Sequence, residues 1–185
     1  MFSYENFKLF YDLIENMLLP LFLIALCIGW KNINVRYLMI VLVALEVLDN
    51  TTYEIALGWG NPYYIWSMLM CVLFIFPVVG RRLLAERLQS RSAFFRQVNK
   101  HYYVSKQEGA FLFVHFISLL INLVTYIEVT LYTHYVIDSY PIRNNLYSPV
   151  QSFVHIAEGI LVLTIANRFR KERYETTNGA AAKSC

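Results

Sequence analysis

The chain has 185 residues, of which 57% are hydrophobic and 16% are charged, and its formal net charge is +3. This composition is too apolar for an ordinary soluble domain, and the long apolar runs indicate membrane-spanning helices. The three cysteines, Cys27, Cys71 and Cys185, have neither the spacing of a metal site nor that of a disulfide framework. The sequence therefore predicts a single all-α membrane domain, a polytopic helical transmembrane bundle, over residues 1–174.

The N-terminal region begins with an amphipathic segment, residues 2–16, which leads into a first apolar span at about 13–30. The start of the chain lacks the basic region and the small-residue cleavage site of a removable signal peptide. If the first apolar segment crosses the membrane, the bundle has five spans. If it lies in the interface, the bundle has four spans plus an N-terminal interfacial helix.

The second predicted span, residues 38–59, carries polar side chains along one face. At about 3.6 residues per turn, this face collects Glu46, Asp49, Asn50 and Glu54. An ionisable group in hydrocarbon costs about 3 kcal/mol or more, so these side chains should face protein or water rather than lipid. A turn that contains glycine and proline then leads to the third span, residues 65–80.

Residues 81–108 form a basic segment, with seven Lys or Arg and two acidic residues. Apolar residues recur there at helical spacing, which indicates an amphipathic helix that continues the third span or lies on the membrane. The segment could be a solvated loop that fixes the topology, or it could dock a soluble partner or anionic lipid headgroups. The docking residues would be Arg81, Arg82, Arg87, Arg91, Arg96 and Lys100.

Two further apolar spans are predicted at about 110–132 and 149–167, and the tail, residues 175–185, is predicted to be disordered. With five spans and the N-terminus outside, fourteen of the sixteen Lys and Arg fall on the inner side. By the positive-inside rule, this asymmetry predicts an N-out and C-in topology with the basic segment in the cytoplasm. We expect the protein in a bacterial inner membrane.

Polar residues inside the last two spans add to the polar face of the second span. They are Asn122, Glu128, His155 and Glu158. No Lys or Arg lies within the predicted spans, and His115, near the inner end of its span, is predicted to lie at the wrong depth for most of the carboxyls. Uncompensated carboxyls in a membrane must be protonated, hydrated or bound to a cation.

These polar groups allow three interpretations. They could hold the helices or an oligomer together, because polar side chains bond between helices in lipid. They could form a proton or cation path, with Glu46, Asp49 and Glu158 as the deep sites. They could also hold a metal or redox centre around His155 and Glu158, whose i, i+3 spacing places both on one helical face.

The sequence contains no nucleotide-binding, hydrolase or metalloprotease motif, so an enzyme is not expected and no cofactor or bound metal is predicted. The leading hypothesis is a small, homo-oligomeric membrane protein that senses or gates, contacts membrane lipids and a soluble cytoplasmic partner, and does not bind nucleic acid. Its general shape is similar to that of accessory bacterial proteins of phage defence or toxin immunity. The alternative is a proton- or cation-coupled channel or transporter, and a membrane metal or redox enzyme is third.

Overall fold

The chain is helical through most of the part that a computed structural model describes, residues 4–100 and 105–182. The helices are α1 (Tyr4–Gly29), α2 (Ile33–Leu57), α3 (Tyr63–Val79), α4 (Arg81–Leu88), α5 (Ala93–Lys100), α6 (Lys106–Thr133) and α7 (Ser148–Ala182), and a π-helical turn (Arg143–Tyr147) precedes α7. No strand occurs in these ranges, which confirms the predicted all-α class.

Two helical segments are long and apolar enough to cross a membrane. They are α6 and the segment Arg143–Asn167, which joins the π-helical turn to the first half of α7. A third candidate results if α3 and α4, which are bent by 63° relative to each other, form one broken span. The apolar part of α1, Met17–Gly29, is shorter, and α2 carries four ionisable residues along its length. The described residues therefore contain two to three candidate membrane spans.

The long helices pack side by side, with α1 along α7, α3 along α6, α6 along α7, and α2 against α1 and α3. Apolar side chains from all seven helices meet at the end of the bundle where α4 and α5 lie. Among these buried residues are Phe22, Leu38, Leu42, Phe74, Ala85, Val98, Phe111, Val162 and Ile165. This apolar core holds the helix ends together through close packing, which is the main source of helix association in lipid.

On three helices, the apolar core ends one turn away from a buried polar residue. The pairs are Leu42 and Glu46 on α2, Phe111 and His115 on α6, and Val162 and Glu158 on α7. Because residues four apart lie on the same helix face, the buried interior changes from apolar to polar at the same level on all three helices. The polar interior begins directly beyond the apolar core.

Capping interactions fix where α2 and α6 begin. The side-chain oxygen of Asn32 accepts hydrogen bonds from two backbone N–H groups of the first turn of α2, at 2.9 and 3.3 Å. Ser105 and Glu108 form a capping box at the start of α6, in which each side chain accepts a hydrogen bond from the backbone N–H of the other residue, at 3.1 and 2.7 Å. As a result, α6 begins at Lys106, about one turn before the predicted boundary at 110.

The two ends of the chain differ from the predicted outline. From Tyr4 onward, the interfacial segment predicted at 2–16 belongs to the same helix as most of the first span, α1, which continues through Pro20. The side chains of residues 1–12 lie outside the described part, so the amphipathic face there stays a prediction. At the other end, α7 continues to Ala182, so the backbone of most of the predicted tail 175–185 is helical, as its run of alanines favours.

The basic segment forms two helices rather than one. The chain bends after Val79, and a Cβ atom at Gly80 would lie only 2.9 Å from the carbonyl oxygen of Phe76, so a side chain would clash at this bend. A second turn, residues 89–92, separates α4 from α5, and α5 packs back against α2. The two short helices therefore cover the end of the bundle instead of extending α3.

A glycine lets α1 and α7 pack closely, and this contact can be tested. A Cβ atom at Gly159 would lie 3.0 Å from Cδ1 of Leu21, whereas a Cβ atom at Gly109 of α6 would meet nothing within 4 Å. We expect Gly159→Leu to overpack the contact and to lower the free energy of unfolding by about 1–3 kcal/mol.

Gly109→Leu makes the same change at an open helical position, so it should leave stability unchanged or raise it. Thermal unfolding of the purified variants in detergent compares the two. Equal melting temperatures for both variants and the parent would contradict the close packing of α1 on α7.

Candidate functional site

A cavity of about 70 Å³ lies between α2, α3, α6 and α7, next to the apolar core. A polar cavity of this size has room for several water molecules. Six of the eight predicted intramembrane residues line it: Glu46, Asp49, Asn50, Asn122, His155 and Glu158. The structure therefore brings most of the predicted polar groups of α2, α6 and α7 into one site.

The centre of the site is Glu158 of α7, whose carboxyl group lies between two histidines. Its Oε1 is 3.3 Å from Nε2 of His115 on α6, and its Oε2 is 3.8 Å from Nδ1 of His155, one turn earlier on α7. Only 5% of the side chain of either Glu158 or His115 is exposed. Both are ion-pair distances, and Oε1 of Glu158 is buried without a hydrogen bond to any described residue, although the first distance is short enough for one.

The other ring nitrogen of His115 decides how this contact works. Nδ1 lies 3.1 Å from the backbone carbonyl oxygen of Phe111, and a carbonyl oxygen can only accept a hydrogen bond. Nδ1 must therefore carry hydrogen, so Nε2 of a neutral His115 faces Glu158 without one. A hydrogen bond between the two side chains then requires one additional proton, which sits either on Nε2 or on the carboxyl group.

Aromatic rings limit the freedom of this pair. The ring of Phe111 lies 4.2 Å from the imidazole of His115, centroid to centroid, and the ring of Phe74 lies at 5.1 Å. Both phenylalanines belong to the apolar core. The contact between His115 and Glu158 is therefore bounded on the α4–α5 side by closely packed apolar residues.

Two carboxyl groups of α2 face the same cavity. Glu46 is 5% exposed, and the side-chain amide of Asn50 donates to its Oε1 at 3.4 Å. Asp49 lies near His155 and Glu158 and is partly buried. The lining thus contains three carboxyl groups and two imidazoles, and none of the lining residues is Lys or Arg. With all three carboxyl groups ionised and both imidazoles positively charged, the lining would still carry a net charge of −1.

A series of hydrogen bonds joins polar residues of the cavity lining to one another. The hydroxyl of Tyr147 donates to the side-chain oxygen of Asn122 at 3.1 Å, and the amide of Asn122 donates to the backbone carbonyl of Ser118 at 2.9 Å. The Ser118 hydroxyl donates to Gln151 at 2.9 Å and accepts from the Cys71 thiol at 3.4 Å. These contacts join α3, α6 and α7 along the polar half of the interior.

Two predicted residues lie outside the cavity. Glu54 is exposed on α2 and does not line it. Glu128 accepts hydrogen bonds from the backbone N–H groups of Ile142 and Arg143, both at 2.8 Å. Its carboxyl therefore anchors the segment that leads into α7, and it does not line the cavity.

Five of the six predicted docking residues are exposed, and the sixth is buried. Arg82, Arg87, Arg91, Arg96 and Lys100 are exposed on α4, α5 and the turn between them. The prediction that Arg81 belongs to the docking surface was wrong. Its side chain is fully buried and forms a bidentate ion pair with Glu108, at 2.9 and 3.3 Å. The bend after α3 turns this first residue of α4 inward, so it ties α4 to α6 instead of facing solvent.

His115 lies deeper in the bundle than predicted, at the level of Glu158. Because the capping box starts α6 at Lys106, His115 lies nine residues inside its helix, a distance of about 13 Å. Glu158 lies nine residues from Asn167, the end of the candidate span on α7, so the two side chains are at the same depth. The capping-box pattern of Ser105 and Glu108 was the signal in the sequence that could have placed His115 correctly.

Comparisons of the chain with protein-family models, with curated proteins and with solved structures found no match. Among the described residues, no group of three or more His, Cys, Asp or Glu is placed so that it could hold a metal ion. The assignment of function therefore depends on the chemistry of the cavity and of the surfaces around it.

The two neighbouring arginines of α4 provide a matched test of the buried ion pair. Arg81→Ala would leave the Glu108 carboxyl buried without its cation, so we expect the free energy of unfolding to fall by about 3–5 kcal/mol. Arg82 pairs with Glu86 at the surface, at 2.9 Å, so Arg82→Ala should cost about 0.5 kcal/mol or less. Unfolding of both variants in detergent measures the difference, and equal losses would show that the Arg81 pair is not buried as described.

Proposed function

We propose that this chain is a non-enzymatic integral membrane protein that takes up and releases protons in its central cavity, as part of a proton-coupled channel or transporter. The observation that carries the proposal is the charge of the cavity lining, which has three carboxyl groups, two imidazoles and no Lys or Arg. A buried site of this composition reaches neutrality only by binding a proton or another cation. The charge of the lining favours the transport hypothesis, because the sensing hypothesis does not account for a cavity of this composition.

The proposed topology has five spans, formed by α1, α2, α3, α6 and α7, with the N-terminus outside and the C-terminus inside. The five long helices and the basic α4–α5 layer at one end of the bundle support it. A bacterial inner membrane is the proposed location. In this orientation, the apolar core faces the cytoplasm and the polar cavity lies toward the outside.

Access to the cavity is expected from the outer side in the conformation described. Asn50, which lines the cavity, is exposed, and Tyr53 and Tyr63 beside it are half-buried. On the inner side, Phe74 and Phe111 pack against His115 and close the path. Protons would therefore enter from outside and reach the interior only when this apolar contact opens.

The proton would pass from one residue to the next toward Glu158. Water in the cavity would bring it to Asp49 and His155, which lie near each other and are less buried than Glu158. Glu158 would then share it with Nε2 of His115, whose Nδ1–H is fixed by the Phe111 carbonyl. Each transfer joins an acid and a base within the same small cavity, so no charge has to cross hydrocarbon.

Proton flux into lipid vesicles tests the proposal. The purified chain is reconstituted with a pH-sensitive dye inside, and a pH gradient or a membrane potential is applied. We expect the parent to conduct protons, and we expect Glu158→Gln and Asp49→Asn to reduce the flux by about tenfold or more, because each removes a proton-binding carboxyl from the lining.

Glu54→Gln is the matched control, because it removes a carboxyl of α2 that is exposed and outside the cavity. It should conduct as the parent does. A parent without flux, or a Glu158→Gln variant that conducts like the parent while remaining folded, would contradict the proposal and leave the cavity groups as packing contacts between helices. A homo-oligomer and a soluble cytoplasmic partner stay predictions, and the mass of the gently solubilised complex tests both.

A further inference from the structure

We propose that the exposed basic surface of α4, α5 and the turn between them binds the phosphate headgroups of anionic lipids. This α4–α5 surface consists of Arg82, Arg87, Arg91, Arg96 and Lys100. It lies at the end of the bundle occupied by the apolar core, away from the cavity. The inference depends on the proposed insertion into a membrane, but it does not depend on proton uptake.

The charge of this surface is almost entirely positive. Glu86 is the one acidic residue of α4 and α5, and its carboxylate pairs with Arg82 at 2.9 Å. Among the side chains that the structure describes, which exclude those of residues 1–12, 15, 16, 101–104 and 168–185, no ion pair involves Arg87, Arg91, Arg96 or Lys100. Four cations therefore lie on an exposed surface without an acidic partner among the described side chains. A surface of this kind can bind several lipid phosphates.

Aromatic contacts place α5 at the depth of the headgroups. The guanidinium group of Arg36 lies over the ring of Trp30, at 5.6 Å, and over the ring of Phe94 of α5, at 5.3 Å. Trp30 follows the end of α1 and is 52% exposed. Tryptophan at the end of a membrane helix typically lies at the boundary between hydrocarbon and headgroups, so α5 beside it lies at the same level.

Exposed apolar residues favour a lipid over a soluble protein as the occupant. Phe76 and Val79 of α3 are 57% and 62% exposed, and Leu83 of α4 is 66% exposed. Leu83 precedes Arg87 by four residues, so the two side chains share a helix face. An apolar side chain and a cation on one exposed face is the pattern of a helix that lies in a membrane interface, with leucine in hydrocarbon and arginine at the phosphates.

The test uses the full chain, purified in a mild detergent and mixed with equal amounts of phosphatidylglycerol and phosphatidylcholine. Native mass spectrometry counts the molecules of each lipid that remain bound. We expect the parent to retain mainly phosphatidylglycerol. The fourfold variant Arg87→Gln, Arg91→Gln, Arg96→Gln and Lys100→Gln should retain about tenfold less of it, because each lost cation weakens the attraction to anionic headgroups.

Arg143→Gln removes an exposed cation at the opposite end of the bundle and should leave phosphatidylglycerol retention unchanged. If the fourfold variant fails to fold, Arg87→Gln with Arg91→Gln, and separately Arg96→Gln with Lys100→Gln, should each cause a partial loss. Equal retention of the two lipids by the parent, or unchanged retention by folded variants, would overturn the proposal. So would the loss of a co-purifying acidic protein without any loss of lipid, because the surface would then dock a protein.

Discussion

The polar interior of this bundle contains more acidic groups than basic groups, and the rest of the structure depends on this excess. Three carboxyl groups and two imidazoles line one small cavity, and no lining residue is Lys or Arg. Charged groups in a medium of low polarity must be paired, hydrated or neutralised by a proton. The contact of Glu158 with His115 and the cavity beside Asp49, which has room for several water molecules, both meet that requirement.

The same constraint divides the bundle along its length. On α2, α6 and α7, the last core residue and the first buried polar residue are four positions apart, so the apolar and polar halves meet at one level. The apolar half carries the basic α4–α5 layer at its end, and the buried pair of Arg81 and Glu108 fixes that layer to α6. One end of the protein is therefore closed and anchored, whereas the cavity opens toward the other end.

Much of this arrangement could be predicted from the sequence, because helices and polar faces follow from local patterns. The polar face of α2 and the polar residues of α7 were found from helical spacing alone. The partners across the bundle were not, because they depend on where each helix begins and how it is bent. One turn at the start of α6 brings His115 to Glu158, and the bend after α3 buries Arg81. The backbone partners of Glu128 were not predicted, because the segment that it binds has no periodic signal.

The protonation of His115 tests the central claim most directly. Solid-state NMR of the chain in lipid bilayers, with ¹⁵N-labelled histidine and His115→Gln to assign the signal, distinguishes the two ring nitrogens. The geometry predicts that Nδ1 carries hydrogen, and that Glu158→Gln alters the signal of Nε2. A His115 ring with a bare Nδ1, or an Nε2 signal that ignores the loss of the carboxyl, would contradict the shared proton.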